Sequence, residues 1–263
     1  MKAKVNGIET HYEIHGAEGA PWLTFSHSLA CSLRMWDGQV AEFKDRWHVL
    51  VYDTRGHGAS EAPKGPYTLD MLAEDLRQLL EQLKIKKTSY VGLSMGGMIG
   101  QTLALKEPGI FDRVVLADTG HAQTPETRKQ WEERIRTAET KGMEPLVQST
   151  LERWFTKDFR DKPVVKTIAD LIRSTPVPGY VGCCHAISNL NLTARLKEIK
   201  RPVLAIAGEH DAAAPGTRYI GENVPGARLA MIPQAAHIAN IEQAEAFNRA
   251  LGEFLSSPAS ARA

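Results

Sequence analysis

Short apolar runs with strand-like spacing alternate along this chain with longer stretches of helical spacing. Residues 2–16 predict two short strands around Asn6-Gly7, a dipeptide whose tolerance of positive φ suits a tight hairpin turn. Trp22-Leu23-Thr24-Phe25-Ser26 predicts a third strand. Trp47-His48-Val49-Leu50-Val51-Tyr52-Asp53 predicts a fourth, which runs into the Gly-rich turn Arg55-Gly56-His57-Gly58. Leu72, Leu76, Leu79, Leu80 and Leu83 then share one face at helical spacing. Thr68 is placed to cap that helix, and Asp70 puts a negative charge at the positive end of its dipole. A strand at Ser89-Tyr90-Val91-Gly92-Leu93 follows, then a helix from Met95 to about Lys106, stopped by Pro108, then a strand from Arg113 to Asp118. The same rhythm resumes late in the chain. It predicts a strand from Pro202 to Gly208, a helix, a strand from Arg228 to Ile232, and a closing helix from about Ile241 to Leu255.

Alternating strands and helices with apolar strands imply an α/β fold: a mostly parallel central sheet with helices on both faces. The antiparallel pair at the start extends one edge. The interval 123–200 differs, being helical in pattern, richer in charge and without a strand signal. It predicts a core domain made of 1–122 and 201–263, with 123–200 inserted as a helical cap. Open α/β sheets bind ligands at the carboxyl ends of their strands, so a cap there roofs the pocket. The plainer alternative is a second helical layer with no part in recognition. The small-residue tail from Ser256 to Ala263 is expected to fray.

Composition narrows the partners. The 263 residues suit one α/β domain with an insertion. Lys plus Arg number 32 against 31 Asp plus Glu, a formal charge of +1, so neither a nucleic-acid nor a membrane surface is expected. The partner is then a small molecule. The cysteines, Cys31, Cys183 and Cys184, are odd in number with two adjacent, a poor disulfide framework that fits a reducing compartment. The N-terminus has no apolar signal core. No window approaches the roughly 18–20 apolar residues of a membrane span. Together these features predict a cytoplasmic protein.

Gly92-Leu93-Ser94-Met95-Gly96-Gly97 matches the G-x-S-x-G nucleophile elbow, with an apolar strand before it and a helix after it. A serine on so tight a turn needs neighbours that are nearly bare, which the glycines supply. Its hydroxyl needs a base, and the base needs a partner that holds its tautomer. In the α/β-hydrolase fold the chain order is serine, acid, histidine. Asp211, in Gly208-Glu209-His210-Asp211, and His237, in Ala235-Ala236-His237, each follow a strand that ends at the same sheet edge as the elbow. Glu209 is the rival acid. Of the other histidines, His11, His15 and His48 fall in or beside early strands, while His27, His57, His121 and His185 break the expected order. His210 points elsewhere from its turn.

Two backbone N–H groups are expected to hold the developing oxyanion, those of Met95 and Leu29, the latter in His27-Ser28-Leu29 after the third strand. Ser28 stands where a glycine is usual. A metal role for His27 lacks a second ligand at recognisable spacing, so no metal and no cofactor are expected.

These residues resemble the 3-oxoadipate enol-lactonases, or β-ketoadipate enol-lactone hydrolases, through most of the chain. The likeness rests on Tyr52-Asp53-Thr54-Arg55-Gly56-His57-Gly58, Glu61-Ala62-Pro63-Lys64-Gly65-Pro66-Tyr67-Thr68 and the elbow. It continues in Arg153-Trp154-Phe155-Thr156, Gly179-Tyr180 with Cys183-Cys184-His185-Ala186-Ile187, and Ala235-Ala236-His237-Ile238 with Asn240-Ile241-Glu242. The turn and the elbow are shared by the whole superfamily; the cap motifs are more discriminating. The resemblance implies a small enol-lactone carrying a carboxylate side chain, in bacterial aromatic breakdown. Arg153 then pairs with that carboxylate in a bidentate fork and Trp154 forms an apolar wall. The bland readings are an exposed cap charge and a cap core residue.

The chain departs from that family at Thr119-Gly120-His121-Ala122-Gln123-Thr124 and at Leu29-Ala30-Cys31-Ser32. Both segments are expected to border the pocket, bringing Ser28 and His121 to the substrate. The rivals on the same residues are a general carboxylesterase, a cofactor-free perhydrolase, and a hydrolase-fold receptor. Haloalkane or epoxide chemistry needs an aspartate at the elbow, which Ser94 excludes.

Overall fold

The computed structural model describes residues 1–257; the part of the expected fraying tail from 258 on lies outside the described residues. The hairpin forms as read, β1 (Lys2–Val5) antiparallel to β2 (Ile8–His15). Asn6 (φ 45°) and Gly7 (φ 81°) take the positive-φ turn. The other strands are β3 (Trp22–Ser26), β4 (His48–Tyr52), β5 (Thr88–Leu93), β6 (Phe111–Ala117), β7 (Val203–Gly208) and β8 (Arg228–Ile232). They form one sheet in the order β1-β2-β4-β3-β5-β6-β7-β8, with β1 and β2 as the antiparallel edge and every pairing from β4 to β8 parallel. The carboxyl ends of β5, β6, β7 and β8 therefore open on one edge.

Helices cover both faces. A 3-10 turn at Leu33–Trp36 leads into α1 (Asp37–Phe43), a pair of elements with no sequence prediction. They are short, and Ser32 caps the turn by accepting from Arg34 N–H. In α2 (Leu69–Gln82) Thr68 caps as expected, accepting from Met71 N–H. Next comes α3 (Met95–Lys106), buried along its length until Lys106.

Four helices fill the interval between β6 and β7: α4 (Pro125–Lys141), α5 (Glu144–Trp154), α6 (Pro163–Ser174) and α7 (Val177–Ser188). Each carries a proline in its first turn, where the missing N–H costs nothing. The insert leaves and rejoins the sheet layer through a narrow neck, where Ala122 bridges Asn191. Gln123 N–H donates to Leu190 O (3.0 Å) and Leu192 N–H to His121 O (2.7 Å). After β7 come α8 (Ala214–Asn223), β8 and then α9 (Ala239–Glu242) and α10 (Ala244–Ser256). The expected single closing helix is broken because Gln243 leaves helical backbone (φ −130°, ψ 57°).

The insert seats closely on the core. Gly56 (φ +82°) and Gly179 of α7 approach so tightly that a Cβ on either would lie 2.4 Å from the other's Cα. The Gly56 turn is itself pinned by a buried two-pronged ion pair, Arg55 Nε to Asp75 Oδ2 at 2.7 Å and Nη2 to Oδ1 at 2.6 Å. Part of the family-like signature thus serves backbone packing. Among the described residues no helix is long and apolar enough to cross a membrane.

Candidate active site

Ser94 sits on strained backbone, φ 55° and ψ −112°, between β5 and α3. A non-glycine residue held there costs on the order of 1–3 kcal/mol, which its surroundings must over-determine. They do. Ser94 N–H donates to Ala117 O (2.8 Å), and Thr119 Oγ1 donates to Ser94 O (2.7 Å). A Cβ at Gly92 would lie 2.3 Å from Gly96 O, and one at Gly96 would lie 2.2 Å from Ser26 O. From Thr88 to Leu105 Ser94 alone is not buried. The strand and helix thus expose one side chain, at the N-terminus of α3.

Asp211 follows β7 and His237 follows β8, so parallel strands deliver both to the edge where the elbow emerges. His237 Nδ1 lies 3.0 Å from each carboxylate oxygen of Asp211. A carboxylate only accepts, so Nδ1 carries the hydrogen and Nε2 is the free lone pair. Asp211 is buried, and Oδ1 also accepts from Ala213 N–H at 3.0 Å. The rival acid Glu209 and its neighbour His210 are exposed. The Ser94 hydroxyl makes no hydrogen bond among the described residues, so the structure joins acid and histidine directly and leaves the serine unbonded beside the same edge.

The loop after β3 is splinted by two buried histidines. His27 Nδ1 contacts Ser28 O (2.7 Å) while its Nε2 accepts from Thr54 N–H (2.9 Å). His57 Nε2 accepts from Ala30 N–H (2.9 Å). Those acceptor roles require neutral rings. Burial pushes both pKa values down, that of His57 to about 3. Ser28 N–H points at Met35 Sδ (3.3 Å) and Ala30 N–H is taken by His57, which leaves the Leu29 N–H between them without an acceptor. Met95 begins α3, so its N–H has no acceptor within the helix. Both expected oxyanion donors are therefore free among the described residues. Ser28 is fully buried with its hydroxyl unpartnered among the described residues.

The last turn of α5 meets the histidine loop. The rings of Trp154 and His237 lie 6.0 Å apart, inclined by 29°. Ile238 N–H donates to Trp154 O (3.2 Å). Trp154 is thus a buried wall against the imidazole. Arg153 is half-buried, and its one hydrogen bond goes to Thr150 Oγ1 (3.2 Å); it has no carboxylate partner among the described residues. Burial, aided by the Arg134 charge, pushes its pKa down to about 10. A guanidinium short of both water and counter-charge is ready for an anion.

His121 lies at the neck of the insert, its Nδ1 against Thr193 Oγ1 (2.8 Å) and its ring stacked on Tyr219 (4.2 Å between centroids). One ring contact is to the returning end of the insert and the other to α8 of the core, so His121 straddles that neck.

Sequence reading missed two residues here. Arg134 of α4 stacks over Trp131 (4.5 Å) and lies close enough to Arg153 to act on its charge. Helical spacing alone leaves it an ordinary surface cation. Glu242 is buried: Oε2 accepts from Ala236 N–H (2.7 Å), and Oε1 accepts from Thr156 N–H (2.8 Å) and the Thr156 hydroxyl. It clips the end of α5 to the segment before His237. With Asn240, Gln243 and Glu245 beside it, it reads in sequence as an ordinary helix-surface acid.

The sequence profile described as alpha/beta hydrolase fold matches residues 21–244. The chain is 37% identical over 253 residues to 3-oxoadipate enol-lactonase 2 of Acinetobacter baylyi, covering 93% of this chain and 92% of that protein. The crystal structure of the enol-lactonase from Burkholderia xenovorans superposes with a TM-score of 0.94 at 41% identity, over 98% of this chain and 100% of the other. A thermophilic esterase from Thermogutta terrifontis, solved with malate bound, superposes with a TM-score of 0.90 at 27% identity, over 97% of this chain and 98% of the other. The chain belongs to the alpha/beta hydrolase fold family and, within it, to the family of the 3-oxoadipate enol-lactonases.

Proposed function

We propose that this chain hydrolyses a small enol-lactone bearing a carboxylate, 3-oxoadipate enol-lactone to 3-oxoadipate, with Ser94, His237 and Asp211 as its catalytic residues. The observation that carries the reading is the buried Asp211 carboxylate holding His237 by Nδ1 at the edge where Ser94 stands on strained backbone. That bond leaves Nε2 as the base, at the sheet edge that also carries the unbonded serine hydroxyl.

In the first step Nε2 takes the hydroxyl proton as Ser94 Oγ attacks the lactone carbonyl. The negative oxygen is met by the N–H groups of Leu29 and Met95. Collapse breaks the ring C–O bond, and the imidazolium returns its proton to the enol oxygen. The enol stays tethered to the acyl group and tautomerises to a ketone. Water, deprotonated at Nε2, then attacks the acyl carbon and releases the linear acid and the serine. Asp211 steadies the imidazolium in both halves. Trp154 shields the imidazole, and Arg153, with Arg134 beside it, takes the carboxylate of the substrate.

The insert over 123–200 acts in this reading as a cap that closes over the strand ends. The chemistry uses groups of the chain itself. All three cysteines are free and buried, which accords with a reducing, cytoplasmic setting.

A fluorophosphonate probe followed by mass mapping tests the reading. Label is expected on Ser94 and absent from the Ser94→Ala variant. Label elsewhere, or none, ends it. Rates on the enol-lactone against simple aryl esters separate a lactonase from a general esterase.

A further inference from the structure

Asp118 follows β6, between the strands that carry Ser94 and Asp211, on positive-φ backbone (φ 46°). It is fully buried. Its N–H donates to Ile206 O (2.8 Å), and its Oδ1 accepts from Gly208 N–H (2.8 Å). Its Oδ2 is buried and meets no N–H or O–H donor among the described residues. Gly208, which donates the bond to Oδ1, accepts the Asp211 N–H on its own carbonyl oxygen (3.1 Å), so Asp211 stands at the same strand end, where its charge acts on the Asp118 carboxyl.

Buried polar atoms are almost always paired, so an orphaned carboxyl oxygen needs an explanation. Two ionised carboxyl groups side by side repel, and burial charges each of them a desolvation cost. No lysine or arginine forms an ion pair with either group among the described residues; the sole ion-pair partner is His237, on Asp211. Burial first, and the Asp211 charge second, push the Asp118 carboxyl well above the usual carboxylate range. Asp211 is the ionisable group that faces Asp118 from the loop after β7, and His237 from the loop after β8 stands behind it. Of the two carboxyl groups Asp211 is the one supplied with donors, the His237 imidazole and the Ala213 N–H.

We propose that Asp118 is a positioning residue for the acid: its protonated Oδ2 donates a hydrogen bond to the Asp211 carboxylate while Oδ1 accepts from Gly208 N–H. The apparent orphan is then a donor. Asp211 is held from both sides, by the Asp118 hydroxyl behind and by His237 Nδ1 in front. Its carboxylate is thereby fixed in the orientation that fixes the imidazole. The proton stays on Asp118 through the reaction, so no step gains or loses one there. The inference rests on the reading of Asp211 as the acid, but the protonation itself does not.

Two variants and one spectrum test it. Asparagine copies a protonated aspartate, with an oxygen for Gly208 and an NH₂ for Asp211; leucine copies only its bulk. Asp118→Asn is expected to keep kcat within about threefold and to leave the pH profile unmoved. Asp118→Leu is expected to lose about 10- to 100-fold in kcat, with KM little changed, from the lost hydrogen bond to a charged group. Equal damage in the two variants, or an Asn variant with a displaced pH profile, overturns the proposal. If the Leu variant fails to fold, infrared difference spectroscopy decides without activity. The carbonyl band of a protonated buried carboxyl must be present in the wild type at neutral pH and missing from Asp118→Asn. Its absence from the wild type overturns the proposal even if Ser94 labels; its presence upholds it even if the substrate reading fails.

Discussion

At Ser94, Leu29 and Arg153 single residues carry strain or unmet bonding among the described residues. The free N–H of Leu29 exists because its neighbours are committed, Ser28 to Met35 and Ala30 to His57. Arg153 is the sharper test, since its guanidinium is half-buried and lacks a carboxylate partner. Arg153→Ala should lower kcat/KM on a carboxylate-bearing lactone by roughly 10- to 100-fold, the range of a charge-assisted hydrogen bond. A neutral ester of similar size should change by much less. Steady-state kinetics on the two substrates checks this, and equal losses remove Arg153 from recognition. The residue types at the elbow and after β7 and β8 were legible as chemistry because such motifs are local. That Arg153 has no partner was not legible, because a missing neighbour is a property of space.

At the scale of elements, the sheet delivers the site and the α5 end closes it. Parallel strands place the residues after β5, β7 and β8 along one edge, and the elbow needs α3 to start there. Glu242 joins this edge to the insert by accepting from Ala236 and Thr156 together. Glu242→Gln turns an NH₂ toward one of those N–H groups and leaves it unsatisfied, at a cost of about 1–3 kcal/mol. For a domain of this size the melting temperature should fall by about 2–4 °C for each kcal/mol. Because Ala236 directly precedes His237, kcat should fall as well. Calorimetry and kinetics on the same preparation check both, and a variant with unchanged kcat would detach the clip from the histidine loop. The helices and strands themselves were largely readable from periodicity. The short turn at Leu33–Trp36, α1 and the break at Gln243 were not, since each is set by tertiary contacts more than by pattern.

Across the whole molecule, the histidines that splint the loop after β3 also tie stability to pH. His27 and His57 are fully buried and neutral, with folded pKa values below the ordinary 6.5, that of His57 at about 3. Below pH 6.5 the unfolded chain binds protons that the folded chain refuses, so stability falls as pH falls. The slope approaches about 1.4 kcal/mol per pH unit for each such histidine until its folded pKa is reached. Urea midpoints at pH 7 and pH 5 should therefore differ more in the wild type than in His57→Gln, which removes one of the two titrations. Equal differences would mean that His57 is not held neutral.

Local chemistry is what the order of residues determined alone: a glycine-flanked serine between strand and helix, an acid and a histidine each just past an apolar strand, and a helical interval between two strands. These are readable because backbone geometry and hydrophobic period act over a few residues at a time. Tertiary structure decided which carboxylate holds His237, which loop N–H is left free, and that Trp154, Arg134 and Glu242 gather around the insert. It also left Asp118 Oδ2 buried without a partner among the described residues. Burial and charge are sums over neighbours remote in sequence, so their values exist only once the chain has closed.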